Sequence, residues 1–133
     1  MTKHVDGKFE VMSWEEDQYR VLTDGGKLTH ASVTQTFSGE IAGHGDVEWL
    51  MCYRGDGTAN VTGFQNVEGE LDGRAGSFVL QMTGTFDGKE ARGRWFVVAG
   101  SGTGELTGLR GEGEMVAPLG QSTATVSLDY DLE

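Results

Sequence analysis

The residues best placed to do chemistry in this chain are two glutamines and a tyrosine that recur among apolar side chains. Gln35 falls on the same alternate positions as Val33 and Phe37, and Gln65 and Tyr53 also lie in apolar alternation. Amide and hydroxyl groups set among apolar walls are typical of small-molecule pockets. If these positions face one interior, the interior is an apolar cavity with a few groups that hydrogen-bond a ligand. The alternative is that the two amides satisfy each other, or backbone groups, in a filled core.

We therefore predict a ligand-binding set of hydrogen-bonding side chains and apolar walls. No acid and base of suitable spacing accompany the set, so the sequence leaves open whether there is turnover at all. The hydrogen-bonding members are Gln35, Tyr53 and Gln65, and the apolar walls are Trp49, Met51, Met82 and Trp95.

Glycine recurs at nearly every second or third position from 100 to 113, which makes a phosphate-binding loop the first hypothesis for that segment. The hypothesis fails, because Thr107 stands where G-x-G-x-x-G needs its third glycine, and no Gly-Lys-Ser/Thr or following helix is present. We predict instead a loop that closes over one end of the fold, with Leu106 and Leu109 turned toward the interior.

Histidine and cysteine indicate no second chemistry. His4, His30 and His44 lie in separate segments without metal-ligand spacing, and with Cys52 they form no recognisable site. Cys52 lies on the alternation opposite to the apolar face, and no G-x-S-x-G elbow is present. We expect neither a metal nor a cofactor.

Composition limits the function classes. The chain has 133 residues, which predicts a single domain over residues 1–133, and its formal net charge is −11. Such an acidic chain lacks the basic footprint that nucleic acids or anionic membranes require. The beginning of the chain has no apolar segment of a signal peptide, no apolar run reaches the length of a membrane span, and there is one cysteine. We expect a cytoplasmic protein.

Period-two alternation predicts strands along most of the chain, and long helical periodicity is absent. Turn signals occur at 43–46, 54–57, 72–73, 87–88 and 118–120. A polar connection is predicted at 15–27, whose carboxylates at 15–17 lie either at a barrel mouth or in a solvated turn. We predict an all-β fold, a closed antiparallel up-and-down barrel of about eight strands. The strand runs are 7–14, 28–41, 47–53, 59–67, 77–82, 91–99, 114–117 and 123–132.

Four blocks of sequence resemble the bacterial domain-of-unknown-function 3224 family, and together they span nearly the whole chain. The resemblance implies an allene-oxide-cyclase-like barrel of eight strands. Related barrels hold a reactive apolar substrate in a shaped cavity with little acid–base machinery. Many family members have His where this chain has Met82. The blocks are Ser13-Trp-Glu-Glu16, the run 28–41, Gly76-Ser-Phe-Val-Leu-Gln81 with Gly84-Thr-Phe86, and the glycine-rich run 100–113.

Two functional hypotheses follow. The first is a barrel that binds a small apolar molecule in its interior, as a binding protein or as a cyclase or isomerase that acts by conformational restraint. The alternative is a non-catalytic protein that forms homo-oligomers through its outer surface, where Arg92 and Arg94 lie on an outward alternation.

Overall fold

A computed structural model describes residues 2–132, and these residues form one closed antiparallel barrel in which each strand pairs with its sequence neighbours. The predicted fold class is confirmed. Within this part of the chain, no helix is long and apolar enough to cross a membrane. The strands are β1 (Lys3–Val21), β2 (Lys27–Gly39), β3 (Ile41–Tyr53), β4 (Ala59–Leu71), β5 (Arg74–Phe86), β6 (Glu90–Val97), β7 (Arg110–Pro118) and β8 (Thr123–Asp131).

The first strand is much longer than predicted. The polar connection predicted at 15–27 is wrong for residues 15–21, because β1 continues to Val21 and pairs with β2 from Gly7 to Val21. The connection itself is residues 22–26. Two register shifts, between Val11 and Ser13 and between Gln18 and Arg20, interrupt the alternation and hide the strand from a period-two search. Its pairing with β8 ends at Glu10, so the later half of β1 is paired on one side only.

The predicted turn at 43–46 is also wrong, since these residues lie inside β3 and the chain reverses at Glu40. Gly43 has a φ of +141°, and a Cβ there would lie 2.2 Å from the carbonyl oxygen of Glu68 on β4. Glycine is therefore needed at position 43 for the close approach of two strands, and not for a change of direction.

The Asp-Gly hairpin signals are confirmed. Asp72 and Gly73, with φ of +51° and +81°, join β4 to β5, and Gly88, with φ of +93°, lies between β5 and β6. Positive φ at both central positions suits the twist of a two-residue hairpin, which is why Asp-Gly is so common there.

The glycine-rich segment closes one end of the barrel, as predicted. Leu106 and Leu109 are 0% and 1% exposed and belong to the hydrophobic core. Because β6 pairs with β5 only from Leu80 onward, the segment takes over the backbone partners of the earlier part of β5. The amide of Thr103 donates to the carbonyl of Ser77 at 2.8 Å. The segment is thus built into the wall as well as covering the core.

Replacing Leu109 with Asp tests this closure. The carboxylate would be buried without a partner, so we expect the free energy of unfolding to fall by at least about 3 kcal/mol in urea titrations. Leu119→Asp is the matched control, because Leu119 is 65% exposed and should change stability by about 0.5 kcal/mol or less. Equal stability of the two variants would show that the segment does not close the barrel.

Candidate ligand-binding cavity

A cavity of about 290 Å³ lies at the end of the barrel opposite the closing segment, beside the turns that follow β1, β3, β5 and β7. Its lining is mostly apolar and includes several small residues, which leave the interior unfilled at this level. The small residues are Ala59, Gly84, Ala91, Gly93, Ala117 and Gly120, and the larger apolar members are Phe9, Val11, Trp14, Trp49, Met51, Val61, Phe86, Met115, Pro118 and Leu119.

Aromatic rings fill the barrel beneath the cavity. The ring centroids of Phe9 and Phe37 are 5.7 Å apart in an edge-to-face arrangement, and those of Phe37 and Trp95 are 6.4 Å apart. The indole N–H of Trp95 donates to the carbonyl of Ser127 at 2.9 Å. A Cβ at Gly113 would lie 2.7 Å from that indole nitrogen, so glycine there makes room for the ring. Of these rings Phe9 lines the cavity, and Phe37 and Trp95 lie in the filled part of the barrel beneath it.

The mouth of the cavity lies where β1 extends beyond β8. The amide of Val11 donates to the carbonyl of Ser122 at 2.9 Å, and the pairing between the two strands goes no further than Glu10. Beyond that point Trp14 lines the cavity from β1, and Leu119 lines it from the turn before β8. Both side chains are largely exposed, so the cavity reaches solvent between them.

Four of the seven predicted ligand-binding residues line this cavity, on strands β2 and β3. They are Gln35, Trp49, Met51 and Tyr53.

The other three, Gln65, Met82 and Trp95, do not line the cavity; they lie together in the filled part of the barrel. The amide nitrogen of Gln65 approaches the sulfur of Met82 at 3.6 Å. A Cβ at Gly45 would lie 2.2 Å from the Gln65 amide oxygen, so this glycine provides the space for the amide. Alternation places all seven inside but does not say at which height the interior is filled.

Gln35 presents an unpaired polar atom. Its side chain is 3% exposed, and its Oε1 has no hydrogen-bond partner. The Oε1 of Gln65 is likewise unpaired, so the hypothesis that the two amides satisfy each other is wrong for their oxygens. Leaving a buried acceptor unpaired costs about 1–3 kcal/mol, which is why such atoms are uncommon in native interiors.

Tyr53 and Glu16 form a polar cluster beside the cavity. The Tyr53 hydroxyl donates to the sulfur of Met51 at 3.3 Å, and burial, together with the nearby Glu16 charge, raises the pKa of Tyr53 to about 12. Glu16 accepts hydrogen bonds from the Thr29 hydroxyl at 2.7 Å and the Trp14 indole at 2.9 Å. Of the two placements the sequence left open for this carboxylate, the structure shows the barrel mouth.

The histidines and the cysteine lie on the outer surface. His30 pairs with Glu48 at 2.8 Å, and Cys52 is exposed. Hydrogen bonds to Asp129 and then to Asp6 raise the pKa of His4. Over residues 2–132, no group of His, Cys, Asp or Glu is arranged to hold a metal ion.

Several lining residues escaped the sequence analysis for two different reasons. Val61 and Met115 share the inward alternation, so the same argument that gave Trp49 would have found them. Trp14 was hidden by the register shift after Val11, which moves the following residues to the opposite face.

Comparisons with known proteins agree with the fold. The family model "Protein of unknown function (DUF3224)" matches residues 5–130, and the chain belongs to this family. A crystal structure of a DUF3224-family protein of unknown function from Shewanella oneidensis MR-1 is similar, with 32% sequence identity and a TM-score of 0.81. The match covers 100% of this chain and 98% of that chain. A comparison with curated proteins found no match.

The Tyr53 environment gives a pH prediction. The Tyr53 hydroxyl loses its proton at about pH 10 in the unfolded chain and at about pH 12 in the folded protein. The free energy of unfolding should therefore fall as the pH rises from 10 to 12. Glu16→Gln should lower the pKa of Tyr53 while leaving it above 10, because burial remains. Absorbance titration of the phenolate, with Tyr53→Phe to assign the signal, measures this.

Glu15→Gln is the control for that titration, because Glu15 is an exposed neighbour in sequence. The same pKa of Tyr53 in both glutamine variants would contradict the contribution of the Glu16 charge.

Proposed function

We propose that this barrel binds a small apolar molecule in the cavity at its open end. The observation that carries the proposal is the combination of an empty, apolar volume with one buried, unpaired amide oxygen in its wall. A core that served stability alone would be filled at close-packed density and would pair its polar atoms. The resemblance of this sequence to barrels that enclose apolar substrates supports the same function.

The size of the cavity limits the ligand. Small-molecule pockets commonly measure about 300–1,000 Å³, and an apolar cavity of about 150 Å³ suffices for benzene. At about 290 Å³, this cavity suits a fused two-ring compound or an aliphatic molecule of similar volume. The aromatic side chains of Trp14, Trp49 and Phe9 would contact the faces and edges of such a ring system.

The lining supports binding more directly than proton-transfer chemistry. Of the described residues that line the cavity, Tyr53 and Arg92 alone carry titratable side chains. Tyr53 is protonated at neutral pH, and its raised pKa makes it a still weaker acid than an ordinary tyrosine. Arg92 forms an ion pair with Glu90. A cyclase or isomerase on this scaffold would act by restraining its substrate in a reactive conformation, as the resemblance implies.

Calorimetric titration with benzofuran, a two-ring compound, tests the proposed cavity. We expect binding at one site and a melting temperature that rises with benzofuran concentration. Ala117→Phe should weaken binding by at least about tenfold, because the added ring would occupy the cavity. Thr125→Phe is the control, since it adds the same ring at an exposed position of β8. Saturable binding of equal strength in both variants would place the ligand elsewhere.

A second candidate function, self-association, is favoured by exposed apolar side chains on the outer face of β3 to β6. Leu50, Phe64 and Phe96 are between 44% and 53% exposed. Large exposed apolar side chains that cluster on one face commonly mark an interaction surface. Arg94, on the same face, makes no ion pair within residues 2–132.

A second copy of the chain is the occupant that the strand register favours for this face. A two-fold axis parallel to this face, lying above the midpoint between Glu48 and Arg94 and perpendicular to the line that joins them, places two copies face to face. Each Arg94 would then approach the partner's Glu48. The rows are Glu48, Phe64, Gln81 and Phe96, and Leu50, Thr62, Thr83 and Arg94.

Charge exchange tests this dimer. Sedimentation velocity should show a dimer that Glu48→Arg or Arg94→Glu weakens and that the double variant restores, because the ion pair is re-formed with its signs reversed. Glu68→Arg on β4, outside the two rows, should leave the dimer intact. A monomer at all concentrations, or single variants without effect, would rule out this interface.

A further inference from the structure

We propose that Gln35 selects the ligand: the molecule that fills the cavity presents a hydrogen-bond donor to the Gln35 amide oxygen. This inference rests on the proposed function and specifies the substrate class, an apolar compound of about two rings with one hydroxyl or N–H group. The remainder of the ligand would contact mostly apolar side chains.

The surroundings of Gln35 leave its oxygen without a protein donor. Its partners in the register are Val11 on β1 and Gly45 on β3, and neither has a polar side chain. Its inward neighbours along β2 are Val33 and Phe37, both buried in the core. Since the last torsion of a glutamine side chain is soft, the amide can turn toward a donor brought into the cavity that it lines.

Two polar groups beside this part of the cavity, on Tyr53 and Glu16, already have hydrogen-bond partners. The Tyr53 hydroxyl donates to Met51, and the Glu16 carboxylate accepts bonds from Thr29 and Trp14. The Gln35 oxygen is the buried side-chain acceptor of the lining that has no hydrogen-bond partner among the described residues. A ligand donor would remove the cost of leaving it unpaired, so binding of such a ligand gains more than the hydrogen bond in water would give.

Gln65 provides a matched comparison within the same protein. It has the same side chain and the same unpaired oxygen, but it does not line the cavity. Its amide nitrogen approaches the Met82 sulfur, and Gly45 provides its space. A substitution at Gln65 therefore removes an unpaired amide oxygen without changing what a ligand can reach.

Indole and benzofuran form the probe pair, because they have nearly the same shape and differ in a ring N–H against a ring oxygen. Calorimetry on the wild-type protein should give about tenfold tighter binding of indole. In Gln35→Leu the preference should vanish while benzofuran binds at least as tightly as before. In Gln65→Leu the preference for indole should persist.

The outcomes separate the two proposals. Benzofuran binding by the Gln35→Leu variant shows that the variant is folded with its cavity intact. If this variant does not fold, Gln35→Met takes its place, because methionine is closer in shape to glutamine. Equal wild-type affinities for the two probes, or tighter binding of benzofuran, would overturn the role of Gln35 and leave the cavity in place. Binding of neither probe would overturn the cavity function and the role of Gln35 together.

Discussion

Closure of the sheet, by pairing of β1 with β8, is the constraint on which the rest of the structure depends. An eight-stranded barrel encloses an interior just wide enough to be filled by side chains or to hold one small ligand. This barrel does both at different heights. Where large side chains enter, the facing strand carries glycine, as Gly45 does opposite the Gln65 amide and Gly113 does beside Trp95. Where small residues face one another, the interior stays empty.

Paired and unpaired polar atoms occur at both heights, and the Gln65 oxygen is unpaired in the filled half. Trp95, in the filled half, has its N–H paired with a backbone carbonyl. At the open half, Tyr53 and Glu16 belong to a hydrogen-bonded cluster, while the Gln35 oxygen is unpaired. Folded proteins accept such costs mainly at functional sites, where local stability is given up for binding or catalysis. The position of Gln35 in the cavity wall is therefore more informative than its burial.

The fold could be predicted from the sequence because alternation and Asp-Gly turns are local signals that agree with each other. The later half of β1 could not be predicted, because register shifts at Met12 and Tyr19 interrupt the side-chain alternation. No particular residue type in the sequence marks such a shift. The candidate site was predicted in part: alternation correctly put Gln35 and Gln65 inside. Only the strand stagger, a property of the closed sheet, decides which of them adjoins empty space.

The one-sided pairing of the later half of β1 has a kinetic consequence. A strand held by one neighbour opens locally at a lower free energy than strands that are paired on both sides. That half-paired strand forms one side of the mouth, and the turn with Leu119 forms the other. Exchange of a bound molecule therefore needs only a small movement at this edge while the remaining ladders stay intact. The residence time of the ligand and the lifetime of the folded barrel are then governed by separate barriers.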